Sequence, residues 1–274
     1  MPLLAHEGTP RTPRPRRPTL YVFTAIAFSP WSEKARWALD HHGVDYREAD
    51  YTPILGEIAL RWRLRRPRAP VTVPVLTDGE RWWTDSFDIA RHAEAIGQGA
   101  PLFPSEGKAE IEAWNRRSEI ALAAGRAILM RSWVDTPELV RAALPPGLPR
   151  KLEPLFRPVG RARLASFMAR YRIPESMGTP DDLLAAELDT LASALEGRRY
   201  LVGDTFSYAD ITMALTLQQV SPVDPAYIVR LAGLPESGMH IEGFASRYGA
   251  LIEWRDALYA RHRRPSDARP SPGG

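Results

Sequence analysis

The chain has 274 residues, 44% hydrophobic and 25% charged, an ordinary balance for a globular protein with room for two modest domains. It contains no cysteine, which excludes disulfides, thiolate metal sites, thiol nucleophiles and Cys-x-x-Cys redox chemistry. The formal net charge of +3 lies at the ends: Arg11, Arg14, Arg16 and Arg17 against Glu7, and Arg263, Arg264 and Arg269 against Asp267, leave the body slightly acidic, which argues against a nucleic-acid or membrane surface on the fold.

Residues 1–18 are basic and Pro-rich and read as a disordered tail, as do residues 263–274. No apolar run reaches the roughly 18 residues that span a bilayer. The start also lacks the apolar stretch of a signal peptide, so the chain is expected to be cytoplasmic.

Residues 20–24 form a β-branched and aromatic run of strand type. A loop over 25–28 follows. Ser29 then stands at an N-cap position, Pro30 at the first helical position and Glu33 in the first turn, where a helix dipole favours acid. Trp31, Ala35, Ala38, Leu39 and His42 recur at helical spacing until Gly43 ends the helix. Residues 46–51 are a second strand and 54–64 a helix, followed by an Arg- and Pro-rich loop over 65–70.

The segment 73–86 is the most informative. A short strand is interrupted by Pro74, turns at Asp78-Gly79, continues over 81–84 and gives way at Asp85-Ser86 to a helix ending at Ile96 before Gly97. Proline makes no ladder bond, so the backbone beside it is open to an extended ligand. Asp85, Ser86 and the free amides of the helix start bring polar groups to the same end of the hairpin. Asp85 and Asp88 can equally cap that helix, and both roles are compatible.

Everything after residue 98 reads as helical. Residues 109–133 carry Ile111, Trp114, Ile120, Leu122 and Ala123 at helical spacing, and 181–195, 207–220 and 244–259 are similar. Prolines between 145 and 158 predict a long irregular connection or extra helices. The domains are therefore 19–97 (α/β) and 106–262 (all-α), with 98–105 as linker. The histidines lack metal-ligand spacing, and no phosphate loop, nucleophile elbow or dinucleotide fingerprint occurs.

Three patterns in this order carry a family resemblance: Ser29-Pro30-Trp31-Ser32 with Glu33-Lys34-Ala35-Arg36; Val73-Pro74-Val75-Leu76 with Asp85-Ser86; and Tyr200-Leu201-Val202-Gly203-Asp204 with Ser207-Tyr208-Ala209-Asp210-Ile211. Over about residues 19–262 the chain resembles the cytosolic glutathione S-transferases, of a bacterial, theta-like serine type. The resemblance implies a thioredoxin-like domain followed by an all-helical domain, a homodimer, and glutathione as co-substrate without a metal. It also implies that Pro74 is cis and that the Val73 backbone pairs with the cysteinyl part of glutathione. Asp85 and Ser86 would hold the γ-glutamyl end, with Asp85 one methylene shorter than the family's usual glutamate.

Ser29 matches the catalytic serine of theta-like classes. Holding the glutathione thiol as thiolate at neutral pH needs roughly 2.7 kcal/mol, since a free thiol ionises near 8.5. A charge-assisted hydrogen bond of about 1.5–3 kcal/mol with a helix N-terminus of about 0.3–1 kcal/mol supplies it. Ser32, Tyr21 and Tyr51 are rival hydroxyls. Without a cysteine at position 29, thiol-exchange chemistry gives way to conjugation of a small hydrophobic electrophile, a detoxification reaction. The electrophile pocket is expected between the domains, lined by loop 25–28 and helix 109–133. A glutathione-transferase-like binding protein without turnover, or a transferase using another thiol, is the alternative. Ser207 and Asp210 are expected to cap a helix.

Overall fold

The computed structural model describes residues 21–51, 55–65, 71–133, 136–144, 147–228, 240–241 and 243–265. The N-terminal tail, most of loop 65–70 and residues 266–274 lie outside these.

The first domain runs β1 (Tyr21–Ala25), α1 (Pro30–His41), β2 (Tyr46–Asp50), α2 (Leu55–Arg63), β3 (Val75–Thr77), β4 (Trp82–Trp83) and α3 (Ser86–Ile96). The sheet order is β2-β1-β3-β4. β1 is parallel to β2, Tyr21 opposite Tyr46, and antiparallel to β3, Thr24 opposite Val75. The α/β + all-α class expected from the sequence is the class observed.

Adjacent strand residues face opposite sides of a sheet, and β3 shows the consequence. Leu76 joins Phe23, Ala25, Ala35, Leu39, Ile89 and Ala93 under α1 and α3, whereas Val75 joins Leu60 of α2 and Val71. The hairpin turn is held by Asp78 Oδ1, which accepts the Glu80 and Arg81 N–H groups, and Gly79 supplies the positive φ of 96°. The start of β3 differs from the sequence reading: the ladder begins after Pro74, so Val73 lies outside it.

The helical domain comprises α4 (Lys108–Trp133), α5 (Pro137–Ala142), α6 (Glu153–Ala169), α7 (Pro180–Ala194), α8 (Tyr208–Ala214), α9 (Phe244–Arg247) and α10 (Gly249–His262). α4 packs along α7 and α8, with Ile111, Trp114, Leu184, Leu188, Leu191 and Tyr208 in the core. The expected helix over 207–220 tightens after Ala214 into a 3-10 segment, Leu215–Gln218, and that over 244–259 breaks at Tyr248. Extra helices do form in the proline-rich region. Pro154 sits in the first turn of α6, where an N–H has no helical partner, and Pro158 forfeits a single bond inside it.

The capping group of α8 is buried. Asp210 Oδ2 accepts from the Ser207 N–H and hydroxyl at 2.8 and 3.0 Å, and Oδ1 accepts from Leu201 N–H at 2.8 Å. Burial nevertheless raises its carboxyl to about 6.

The domains are joined through α1, which is buried on almost every side. Trp37 Nε1 donates to the His262 carbonyl at 3.1 Å. Arg263, expected to begin the disordered tail, is instead 4% exposed and paired with Glu33 at 2.7 Å and with Asp40. In the linker, the Leu102 and Phe103 N–H groups donate to Glu94 Oε2 at 2.6 and 2.9 Å. The packing of the helical domain thereby sets the orientation of the helix that carries Ser29.

Candidate functional site

Ser29 occupies the N-cap of α1 with extended backbone angles (φ −76°, ψ 127°). Its N–H donates to Ile26 O at 3.1 Å and its carbonyl accepts the Glu33 N–H at 2.9 Å. A capping serine ordinarily accepts from the N–H two or three residues on. Ser29 does not: its half-buried hydroxyl makes no side-chain capping bond. It stands at the positive end of a twelve-residue helix, unspent on the helix itself.

The rival hydroxyls are differently placed. Ser32 is fully buried and its Oγ accepts the Ile26 N–H at 3.1 Å, so it holds the loop after β1. Tyr21 lies beside His92, with 3.3 Å between the hydroxyl and Nε2, and burial, then Asp78, raises its phenol. Burial, then Glu57, raises the Tyr51 phenol as well. Both shifts disfavour a phenolate.

The Val73-Pro74 peptide is cis. Val73 immediately precedes β3, and Asp85 and Ser86 open α3 beyond the hairpin. Asp85 is exposed and its Oδ1 caps the helix by accepting the Phe87 N–H at 2.8 Å. Capping occupies one carboxylate oxygen and leaves Oδ2 without a hydrogen bond among the described residues. Ser86 is 3% exposed and lies against the Tyr208 hydroxyl, which is fully buried and has no hydrogen bond of normal geometry. The sequence thus located the pair at the helix start, but not the tyrosine of the other domain beneath it.

A second polar group crosses the domain boundary next to Ser29. Lys34 is fully buried, and its ammonium donates to Ser118 Oγ and Glu119 Oε1, both at 2.7 Å. Burial lowers its affinity for a proton, while Glu119 and the more distant Asp85 oppose that. Trp31 Nε1 donates to Glu119 Oε2 at 2.6 Å, so both oxygens of Glu119 are engaged. Behind Ser118, its hydroxyl lies 2.5 Å from that of Thr212, which donates to Asn115.

Two turns further along α4, Arg126 places its guanidinium 4.6 Å from the Trp31 ring centre and 4.1 Å from that of Tyr171. Sequence periodicity did not single out Lys34, Glu119 or Arg126. A signal existed for the last, the lone charge in the otherwise apolar stretch 120–130.

Two open cavities of about 380 and 350 Å³ lie in the helical domain, between α5 and α6 and between α4 and α6; Tyr171 is among the residues lining the second. Among the described residues no cluster of His, Asp and Glu has the form of a metal site, and no helix is long and apolar enough to cross a membrane.

Two family models match the chain: the glutathione S-transferase N-terminal domain over residues 28–96 and the glutathione S-transferase C-terminal domain over residues 181–257. Together they span just over half of it, in the order of its two domains. The chain belongs to the glutathione S-transferase superfamily. Glutathione S-transferase TCHQD of Arabidopsis thaliana is 24% identical over 211 residues, 70% of this chain and 74% of the relative. A glutathione S-transferase from Methylobacillus flagellatus with GSH bound is similar in structure, with a TM-score of 0.53, 16% identity and coverage of 89% and 96% of the two chains. The β-etherase LigF from Sphingobium sp. strain SYK-6 gives a TM-score of 0.57 at 17% identity, covering 92% and 96%. At such identities the two structures establish the fold of the superfamily member and nothing of its substrate.

Proposed function

We propose that the protein is a theta-like glutathione S-transferase that conjugates the glutathione thiolate to a small hydrophobic electrophile. The observation that carries this reading is the Ser29 hydroxyl at the start of α1, which makes no capping bond to the helix and no hydrogen bond among the described residues. The hydroxyl donates to the sulfur, the helix dipole favours the negative charge, and the thiol proton leaves to solvent. The thiolate then attacks an electrophile held in the cleft between loop 25–28 and α4, forming a carbon–sulfur bond and expelling a leaving group or adding across a double bond. The Val73 backbone, outside the β3 ladder, pairs with the cysteinyl unit. Asp85 accepts from the ligand ammonium through Oδ2, and Ser86 with the α3 amides receives the γ-glutamyl carboxylate. On this reading the protein works as a cytoplasmic homodimer in detoxification.

Millimolar glutathione should raise the melting temperature, because a ligand selective for the native state stabilises it. Chlorodinitrobenzene conjugation should fall about 10- to 100-fold in Ser29→Ala, the loss of one charge-assisted hydrogen bond. Ser32→Ala should act mainly on stability. Unchanged turnover in Ser29→Ala moves thiol activation to another residue. Binding of glutathione with no conjugation by the wild type favours a binding protein.

A further inference from the structure

Arg126 is a half-buried cation with no anion beside it among the described residues. Its guanidinium lies within cation–π distance of two rings, Trp31 on the first turn of α1 and Tyr171 just beyond α6. Nε is sealed from solvent and makes no hydrogen bond. Among the described residues the guanidinium has no ion pair: the nearby Glu119 gives one oxygen to Lys34 and the other to Trp31. Burying a charge unpaired is costly, and stacking on aromatic faces offsets only part of that cost. With two aromatic rings against the guanidinium and Nε sealed, the groups left to a ligand are the two Nη groups, which present parallel donors suited to the two oxygens of a carboxylate. Through Trp31, two residues after Ser29, this edge lies where α1 meets α4 rather than on the segment 73–86.

We propose that Arg126 is a specificity-determining residue that binds a carboxylate carried by the electrophile, so that the preferred substrates join an apolar body to an anionic group. The inference rests on the transferase reading above. Lysine at this position would keep the charge but lose the planar stack and the bidentate edge, and methionine would keep most of the packing and lose both.

The test is the affinity of the full chain, by titration calorimetry, for S-(4-carboxybenzyl)glutathione and S-benzylglutathione, with glutathione alone as reference. Wild type should bind the carboxylated conjugate about tenfold or more tightly than the neutral one. Arg126→Met should abolish that preference by weakening the carboxylated conjugate, and Arg126→Lys should retain only part of it. Equal affinity of the wild type for the two conjugates overturns the inference whatever the variants do, and leaves the transferase reading intact if glutathione binds. A loss in Arg126→Met that falls equally on glutathione itself also overturns it, since the cation then serves the thiol's own carboxylate. Failure of glutathione and both conjugates to bind overturns the transferase reading, and this inference with it.

Discussion

Replacing Arg263 with methionine tests how firmly the segment after α10 holds α1. The guanidinium is almost fully buried and meets Glu33, itself fully buried, at 2.7 Å, together with Asp40. Removing one partner of a buried ion pair costs about 3–5 kcal/mol, because the remaining charge stays buried. Here both carboxylates retain other partners: Glu33 keeps Arg36 at 2.6 Å, and Asp40, 19% exposed, keeps the Tyr46 hydroxyl at 2.7 Å. The low end of that range, about 3 kcal/mol, is therefore expected. For a chain of this size each kcal/mol shifts Tm by about 2–4 °C, so Arg263→Met should melt about 6–12 °C below wild type. Urea unfolding should move its midpoint with little change in slope. Adding Glu33→Gln should recover part of the loss, because one of the two carboxylates that share the lost cation is then neutral. A single variant within about 2 °C of wild type would refute the view that Arg263 is a latch between the domains.

Three further outcomes follow from the geometry. Asp85→Asn keeps an oxygen for the Phe87 N–H but removes the negative charge, so stability should change by less than about 0.5 kcal/mol while glutathione binding weakens about tenfold; comparable affinity would leave Asp85 as a cap only. His262 is stacked on Phe206, 3.0 Å from the Tyr200 hydroxyl, and burial lowers it to about 4. The unfolded chain takes up that proton first, near pH 6.5, so this contribution is present above pH 6.5 and is lost as pH falls towards 4. His262→Gln should therefore show a flatter decline in Tm between pH 7 and 5 than wild type, and parallel curves would contradict it. Asp210, raised to about 6, works in the opposite sense but cancels in the comparison. At Gly97 an added Cβ would meet the His42 carbonyl at 2.4 Å. Gly97→Ala should cost about 1–3 kcal/mol by forcing α1 and α3 apart, read from the denaturation midpoint.

The legible parts of the molecule were those with short-range causes. Helix α3 begins at Ser86 and ends at Ile96 as read, because Asp85 caps it and Gly97 stops it. The Asp78-Gly79 turn and the start of α1 at Pro30 were equally local. Strand β3 was misjudged at its start because a ladder depends on its neighbour: Val75 has Thr24 opposite it, whereas Val73 precedes the strand. The break at Tyr248 also has a distant correlate, its hydroxyl bonding Asp189 at 2.8 Å across the helical domain.

For the site, the sequence by itself determined which residues lie at the two helix starts and beside Pro74, since proline, capping side chains and helix ends act over a few residues. It also ruled out cysteine chemistry. Only the tertiary structure decided what those residues are free to do. Ser29 leaves its hydroxyl uncommitted while Ser32 binds the Ile26 N–H, and Ser86 rests on a tyrosine more than a hundred residues away. Glu33, Lys34 and Arg36 are all buried, because their counter-charges come from α4, β2 and the segment after α10. Apolar periodicity reports which side of a helix avoids water. It carries no information about which distant carboxylate makes a buried cation tolerable, or that half-buried Arg126 has no ion pair among the described residues.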